Sequence, residues 1–166
     1  MDCREMIEQV VKLSPIVISA AALFVAAWTL FVQRKHNRLS VKPALDDWTH
    51  EDSSEFYFQL FNKGLGTAKL TSFEILLNDK AITSDDLSKL LLDKLGADYN
   101  VHVSYFEPNS HFAKDEERFI LKVTSKHKDV STKLPPLIDG LQLKINYESL
   151  YGDTESYESL KYKSEV

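Results

Sequence analysis

One stretch constrains this chain more than any other. Leu13 to Val32 reads LSPIVISAAALFVAAWTLFV, 20 residues without a charge. At about 1.5 Å per residue a helix of that length covers about 30 Å, the thickness of a bilayer's hydrocarbon core. A lone segment in lipid must be helical, because each backbone N–H and C=O has to find its partner within the segment. Pro15 is expected in the first turn, where a missing N–H costs little, and Trp28 near an interface. The small residues Ser19, Ala20, Ala21, Ala22, Ala26 and Ala27 offer a face on which two such helices approach closely.

The flanks argue for a retained anchor. The leader MDCREMIEQVVK mixes charge signs, and no small-x-small site ends the apolar run, unlike a cleaved signal peptide. Cys3 precedes the run, whereas a lipoprotein cysteine follows it. The sequence after the run, QRKHNRLSVK, carries Arg34, Lys35, Arg38 and Lys42. Arg4 and Lys12 on the other side are accompanied by Asp2, Glu5 and Glu8. The excess of Lys and Arg marks the cytoplasmic side and suits anionic headgroups. The expected organisation is a short extracytoplasmic segment at 1–12, a membrane helix at 13–33 and a basic linker at 34–39. A cytoplasmic domain at 40–166 completes it, held at a bacterial inner membrane. A single Cys in 166 residues provides no disulfide framework, in keeping with that side.

The remainder reads as a mainly antiparallel β-sandwich, immunoglobulin-like, of about seven strands with one short inserted helix. A small β-barrel with a helix is the rival architecture. Ser40–Leu45 (SVKPAL) is expected as an edge strand because of Pro43. Glu55–Phe61 and Ala68–Leu77 follow, joined by the glycine-containing turn Asn62–Thr67. Ser84 as N-cap, leucines at 87, 90, 91 and 95, and Gly96 as the stop predict the helix. Further strands are expected at Tyr99–Phe106, Arg118–Thr124, Leu141–Tyr147 and Ser156–Tyr162.

No catalytic signature is present. The five histidines (His36, His50, His102, His111, His127) lack metal-ligand spacing and a cysteine partner, so no metal and no cofactor are expected. There is no G-x-S-x-G elbow and no Walker loop. The carboxylates Asp46, Asp47, Glu51 and Asp52, and Asp115, Glu116 and Glu117, read as solvated loops. From Leu39 onward there are 15 Lys and Arg against 22 Asp and Glu, which argues against long nucleic acid as a partner. Lys122, Lys126, His127, Lys128 and Lys133 form a local exception suited to a small anionic ligand such as a nucleotide. Tyr147, Tyr151, Tyr157 and Tyr162 suggest an exposed aromatic strip for a protein interface.

Two resemblances bear on these readings. Asn62-Lys63-Gly64-Leu65-Gly66-Thr67-Ala68 resembles the N-x-G-x-G-x-A corner of small bacterial single-pass membrane proteins with a cytoplasmic β-sandwich of unknown function. Lys42-Pro43-Ala44-Leu45 is similar to their entry strand, and Asn146-Tyr147 with Tyr151-Gly152 to their late hairpin. Thr67 stands where that family often has proline. The resemblance implies topology and fold, not an activity. In size and layout alone the chain also resembles membrane effectors of prokaryotic antiviral systems, CRISPR-associated ones included, which sense cyclic nucleotides. The expected function is non-enzymatic: a membrane-anchored module that docks a protein partner or another copy of itself. The alternative is an oligomeric effector gated by a cyclic nucleotide.

Overall fold

The structure is a computed structural model that describes residues 3–164. It divides into two compact units, Met1–Ser40 and Val41–Val166.

The first unit is one helix, α1 (Cys3–Ser40), of 38 residues. Its stretch Val11–Ser40 is long and apolar enough to cross a membrane, and none of that stretch is buried in the protein. Pro15 lies inside the helix rather than in its first turn. A proline there withholds the N–H that would have met the Val11 carbonyl. The Ser14 hydroxyl donates to that same oxygen at 3.2 Å. Ser19 and Thr29 return their hydroxyls to the carbonyls four residues earlier, Pro15 and Val25, so these polar side chains are satisfied within the helix. The segment expected as a linker, 34–39, is helical as well. Arg34, Lys35, Arg38 and Leu39 are good helix formers, and Arg38 complements the negative end of the dipole. The helix stops before Pro43, whose ring disfavours helix at the residue preceding it.

The second unit holds two antiparallel sheets. One comprises β1 (Leu45–Glu51), β2 (Glu55–Asn62), β7 (Glu117–Ser125) and β5 (Tyr99–Val103), in that order. The other runs β4 (Lys80–Ile82), β3 (Ala68–Leu77), β8 (Leu141–Glu148), β9 (Thr154–Glu158), with β6 (His111–Phe112) also on β3. Phe56, Phe58 and Leu60 of β2 face Leu70 and Ile75 of β3 and Leu143 and Ile145 of β8 in a shared buried core. β8 alternates without error: Leu141, Leu143, Ile145 and Tyr147 are buried, and Gln142, Lys144 and Asn146 are not.

Helix α2 (Ser84–Leu95) packs against β5 and buries Leu87, Leu91 and Leu95. Thr83, not Ser84, is its N-cap. Its Oγ1 accepts from the Asp86 N–H at 3.1 Å and donates to the Asp86 carboxylate at 2.7 Å. Gly96, at φ 92°, ends the helix as expected. Two four-residue helices not anticipated, α3 (Val130–Lys133) and α4 (Pro135–Ile138), bury Val130 and Ile138.

The edge strand expected at 40–45 starts instead at Leu45 and takes in Asp46, Asp47 and Glu51, read from sequence as a loop. Pairing explains this. Leu45, Asp47, Thr49 and Glu51 stand opposite Asn62, Leu60, Phe58 and Phe56, so an acidic stretch is drawn into a sheet by an apolar neighbour. The corner Asn62–Thr67 leads from the first sheet into the second, because β2 and β3 belong to different sheets.

Candidate functional site: the outer face of the four-stranded sheet

β2 carries aromatic residues on both faces. Phe56, Phe58 and Leu60 point into the core, which leaves Tyr57, Gln59 and Phe61 on the outer side. The register places Trp48 opposite Gln59 and His50 opposite Tyr57. On the other flank Phe119 stands opposite Gln59, and Lys122 opposite Tyr57. A register shift falls between these two pairs, and both Ile120 and Leu121 are buried. The extra residue lets Phe119 and Lys122 share the outer face.

The groups on this face are in contact. The His50 ring stacks on Tyr57 at 4.8 Å, and Tyr57 meets the Phe119 ring at 5.3 Å, edge to face. Lys122 Nζ lies 4.8 Å over Phe119, and Lys63 Nζ 4.4 Å over Phe61. Lys63 also pairs with Asp46 at 2.7 Å; its ammonium holds the Asp46 carboxyl below the usual carboxylate range. Trp48 remains 61% exposed and Phe119 37% exposed. Beside Trp48 is a hollow of about 320 Å³, walled by Phe61, Gln59, Lys63, Asp115 and Glu117. Gln59 Nε2 donates to Glu117 Oε2 at 2.7 Å, fixing that carboxylate at the rim.

Of the basic residues expected from sequence as an anion site, three have acidic neighbours. Lys122 lies 3.8 Å from Glu55, His127 3.4 Å from Asp98 and Lys133 2.8 Å from Asp129. The charge of Lys133 is thus offset in place, and Lys126 and Lys128 stand exposed in the loop after β7. Tyr99 donates its hydroxyl to the same Asp129, whose pKa is lowered by Lys133 first and Tyr99 next.

The tyrosines do not form an exposed strip. Tyr147 is 5% exposed and belongs to the core. Tyr157 donates its hydroxyl to Asp47 across the two sheets. Tyr162 packs edge-on against Phe56 and donates to Glu51 at 2.6 Å. Only Tyr151 of the four is largely open, at 55%. The amphipathic character that suggested an interface serves to bind one sheet edge to the other. Arg34, Lys35 and Arg38 lie exposed on α1. Lys42 lies beyond the helix and pairs with Glu155 at 2.7 Å, which raises its pKa.

Among the described residues one mixed cluster has metal-ligand atoms close together: those of His50, Asp52 and Glu55 lie within 4.8 Å. Asp52 is chiefly a turn anchor. Its Oδ1 accepts from the N–H groups of Ser54 (2.6 Å) and Glu55 (2.8 Å) and from the Ser54 hydroxyl. These bonds, led by Glu55, lower its pKa to about 2.

The sequence does not mark Trp48 and Phe119 as exposed, and in it Phe61 reads as core or cross-strand packing, whereas it lies half-buried on the outer face. The available signal was the run EFYFQLF, where both alternating sets are apolar or aromatic although a half-exposed strand needs only one.

No protein-family model matches the chain, and no curated protein matches it. Among solved structures it is similar to a chain from the archaeal flagellum of Methanospirillum hungatei strain JF1. That match has 10% identity and a TM-score of 0.33, covering 100% of this chain and 96% of the other. A likeness of that extent fixes neither fold nor role.

Proposed function

We propose that this protein is a non-enzymatic, membrane-anchored docking module, with α1 as a single span and an immunoglobulin-like β-domain on the cytoplasmic side of a bacterial inner membrane. The outer face of the four-stranded sheet receives a protein partner. The observation that carries this reading is the exposed aromatic surface of Trp48 and Phe119, with Phe61 walling the hollow beside Trp48. Aromatic residues are enriched at recognition surfaces because they supply large contact area at small entropic cost. The apolar, unburied α1 supports the anchor, and the basic residues that follow its apolar run support the orientation. The nucleotide-gated alternative has less support: of the five basic groups named for it, Lys133 is held by Asp129 at 2.8 Å, and Lys122 and His127 each have an acidic neighbour within 4 Å.

A photo-crosslinking residue in place of Lys122, on the same outer face but outside the hollow, in the full chain in native cells, tests the reading. It should give one discrete protein adduct in the membrane fraction, while the same residue at Lys89 of α2 gives none. Absence of an adduct, the same adduct from both positions, or release of the full chain by alkaline carbonate would overturn it.

A further inference from the structure

We propose that the hollow beside Trp48 receives an arginine side chain of the docked protein, its guanidinium stacked on the indole and paired with Glu117 and Asp115. This inference rests on the docking reading above and names the chemistry of the partner.

The hollow combines an open indole with two exposed carboxylates. Its one cation, Lys63, is already engaged by Asp46 at 2.7 Å and by the Phe61 ring. Gln59 occupies Glu117 Oε2, and Glu117 Oε1 has no hydrogen-bond partner among the described residues. Asp115 stands 3.7 Å from Lys114, a separation that leaves its carboxylate open to a better-placed donor. What remains unmet in the hollow is therefore negative charge beside an aromatic face. The wider field has the same sign, with 22 acidic against 15 basic side chains from Leu39 onward. A neutral sugar would use the indole but leave that charge unanswered, and an anion would be repelled. Between the two basic side chains, arginine suits the geometry better. Its planar group stacks on an indole while its fork of N–H donors reaches carboxylate oxygens in the same plane. Lysine offers a compact charge that stacks poorly and stays more strongly hydrated.

The chain's only other tryptophan is Trp28, so Trp28→Phe leaves Trp48 as the sole indole reporter. The full-length variant, in a zwitterionic detergent without a sugar headgroup, is titrated with a blocked tri-arginine peptide and with its tri-lysine and maltotriose counterparts. The expected result is a saturable change in Trp48 emission with tri-arginine, weaker with tri-lysine and absent with maltotriose. Glu117→Gln and Asp115→Asn should each weaken the response about fivefold at low salt, and 0.5 M salt should suppress it. An unchanged near-UV circular dichroism spectrum separates loss of binding from loss of fold. No saturable response, equal affinity in the charge variants, or a response to maltotriose would overturn the assignment. A crosslink at Lys122 without a tri-arginine response would sink the arginine assignment alone. Absence of the crosslink would remove the docking reading itself.

Discussion

Asn62 accepts the N–H of Ala44, eighteen residues earlier in the chain, on its Oδ1 at 3.1 Å. The same oxygen accepts the Gly64 N–H at 3.0 Å. Its Nδ2 donates to the carbonyls of Gly66, Phe112 and Ala113 at 2.7–3.2 Å. One side chain, 1% exposed, thus joins the chain's entry into the β-domain, the corner between the sheets and β6. Asn62→Ala would strand two donors and three acceptors, several of them buried, and should cost about 3 kcal/mol. Asn62→Asp should fare no better, because it keeps the acceptor but turns a carboxylate toward three carbonyl oxygens. Thermal unfolding of the full chain in detergent should show both variants melting about 10 °C lower. A melting point unchanged by Asn62→Asp would refute the account.

Gly66 is required by contact. A Cβ there would overlap the Val41 carbonyl, which is backbone and cannot turn aside. Gly152 is the useful contrast: its φ is 76°, and nothing lies within 4 Å of an added Cβ. Gly66→Ala should therefore cost at least about 2 kcal/mol, as overpacking does. Gly152→Ala should cost about 1 kcal/mol, the penalty of the left-handed conformation alone. Chemical denaturation of the two variants side by side reads the difference, and equal losses would contradict it.

The corner was legible in sequence because Asn and Gly have few reasons to alternate other than this one. The long strands and α2 were legible for a related reason: each displays its own period, as in LQLKINYE or in the leucines at 87, 91 and 95. β1 was not. Its inward residues include Asp47 and Thr49, and only the Tyr157 hydroxyl, 110 positions away, makes a half-buried carboxylate acceptable there. β4 and β6, with three and two residues, are too short to show a period. The tyrosines displayed their chemistry but not their partners, so inter-sheet ties resembled an open interface. Trp48 was hidden for the opposite reason: surrounded by Asp46, Asp47 and His50, it looked like part of a solvated loop.

Asp47 and Asp52 should act in opposite directions on stability as pH changes. Desolvation raises the pKa of Asp47; the Tyr157 hydroxyl opposes this and Asp46 adds to it. A carboxyl whose folded pKa is raised holds its proton more tightly when folded, so its contribution falls as pH rises above about 4. Asp52 is lowered to about 2 by backbone hydrogen bonds. Its contribution is complete above the ordinary carboxylate range and is lost as pH falls from about 4 toward 2. Asp47→Asn, which keeps an acceptor for Tyr157, should remove a decline that sets in as pH rises above about 4. Asp52→Asn should remove part of the loss below pH 4. Denaturation midpoints from pH 2.5 to 7 distinguish the two. Parallel curves for parent and Asp47→Asn would refute the first half, and parallel curves for Asp52→Asn the second.

The orientation of α1 is open to a direct test, because it depends on few charges. Arg34, Lys35 and Arg38 follow the apolar run, whereas Arg4 and Lys12 precede it among Asp2, Glu5 and Glu8. Lys and Arg near a span decide which end stays in the cytoplasm, and acidic residues contribute little. A green fluorescent protein at the carboxyl terminus should therefore fluoresce, and alkaline phosphatase at the same place should be inactive. Exchanging the asymmetry, with glutamine at 34, 35 and 38 and lysine at 5 and 8, should reverse both signals in most molecules. Neutralising the three alone should give a mixture, since Arg4 and Lys12 would then be opposed by Lys42 alone. An active phosphatase on the parent chain would place the β-domain on the far side, and the docking partner would then have to be sought outside the cytoplasm.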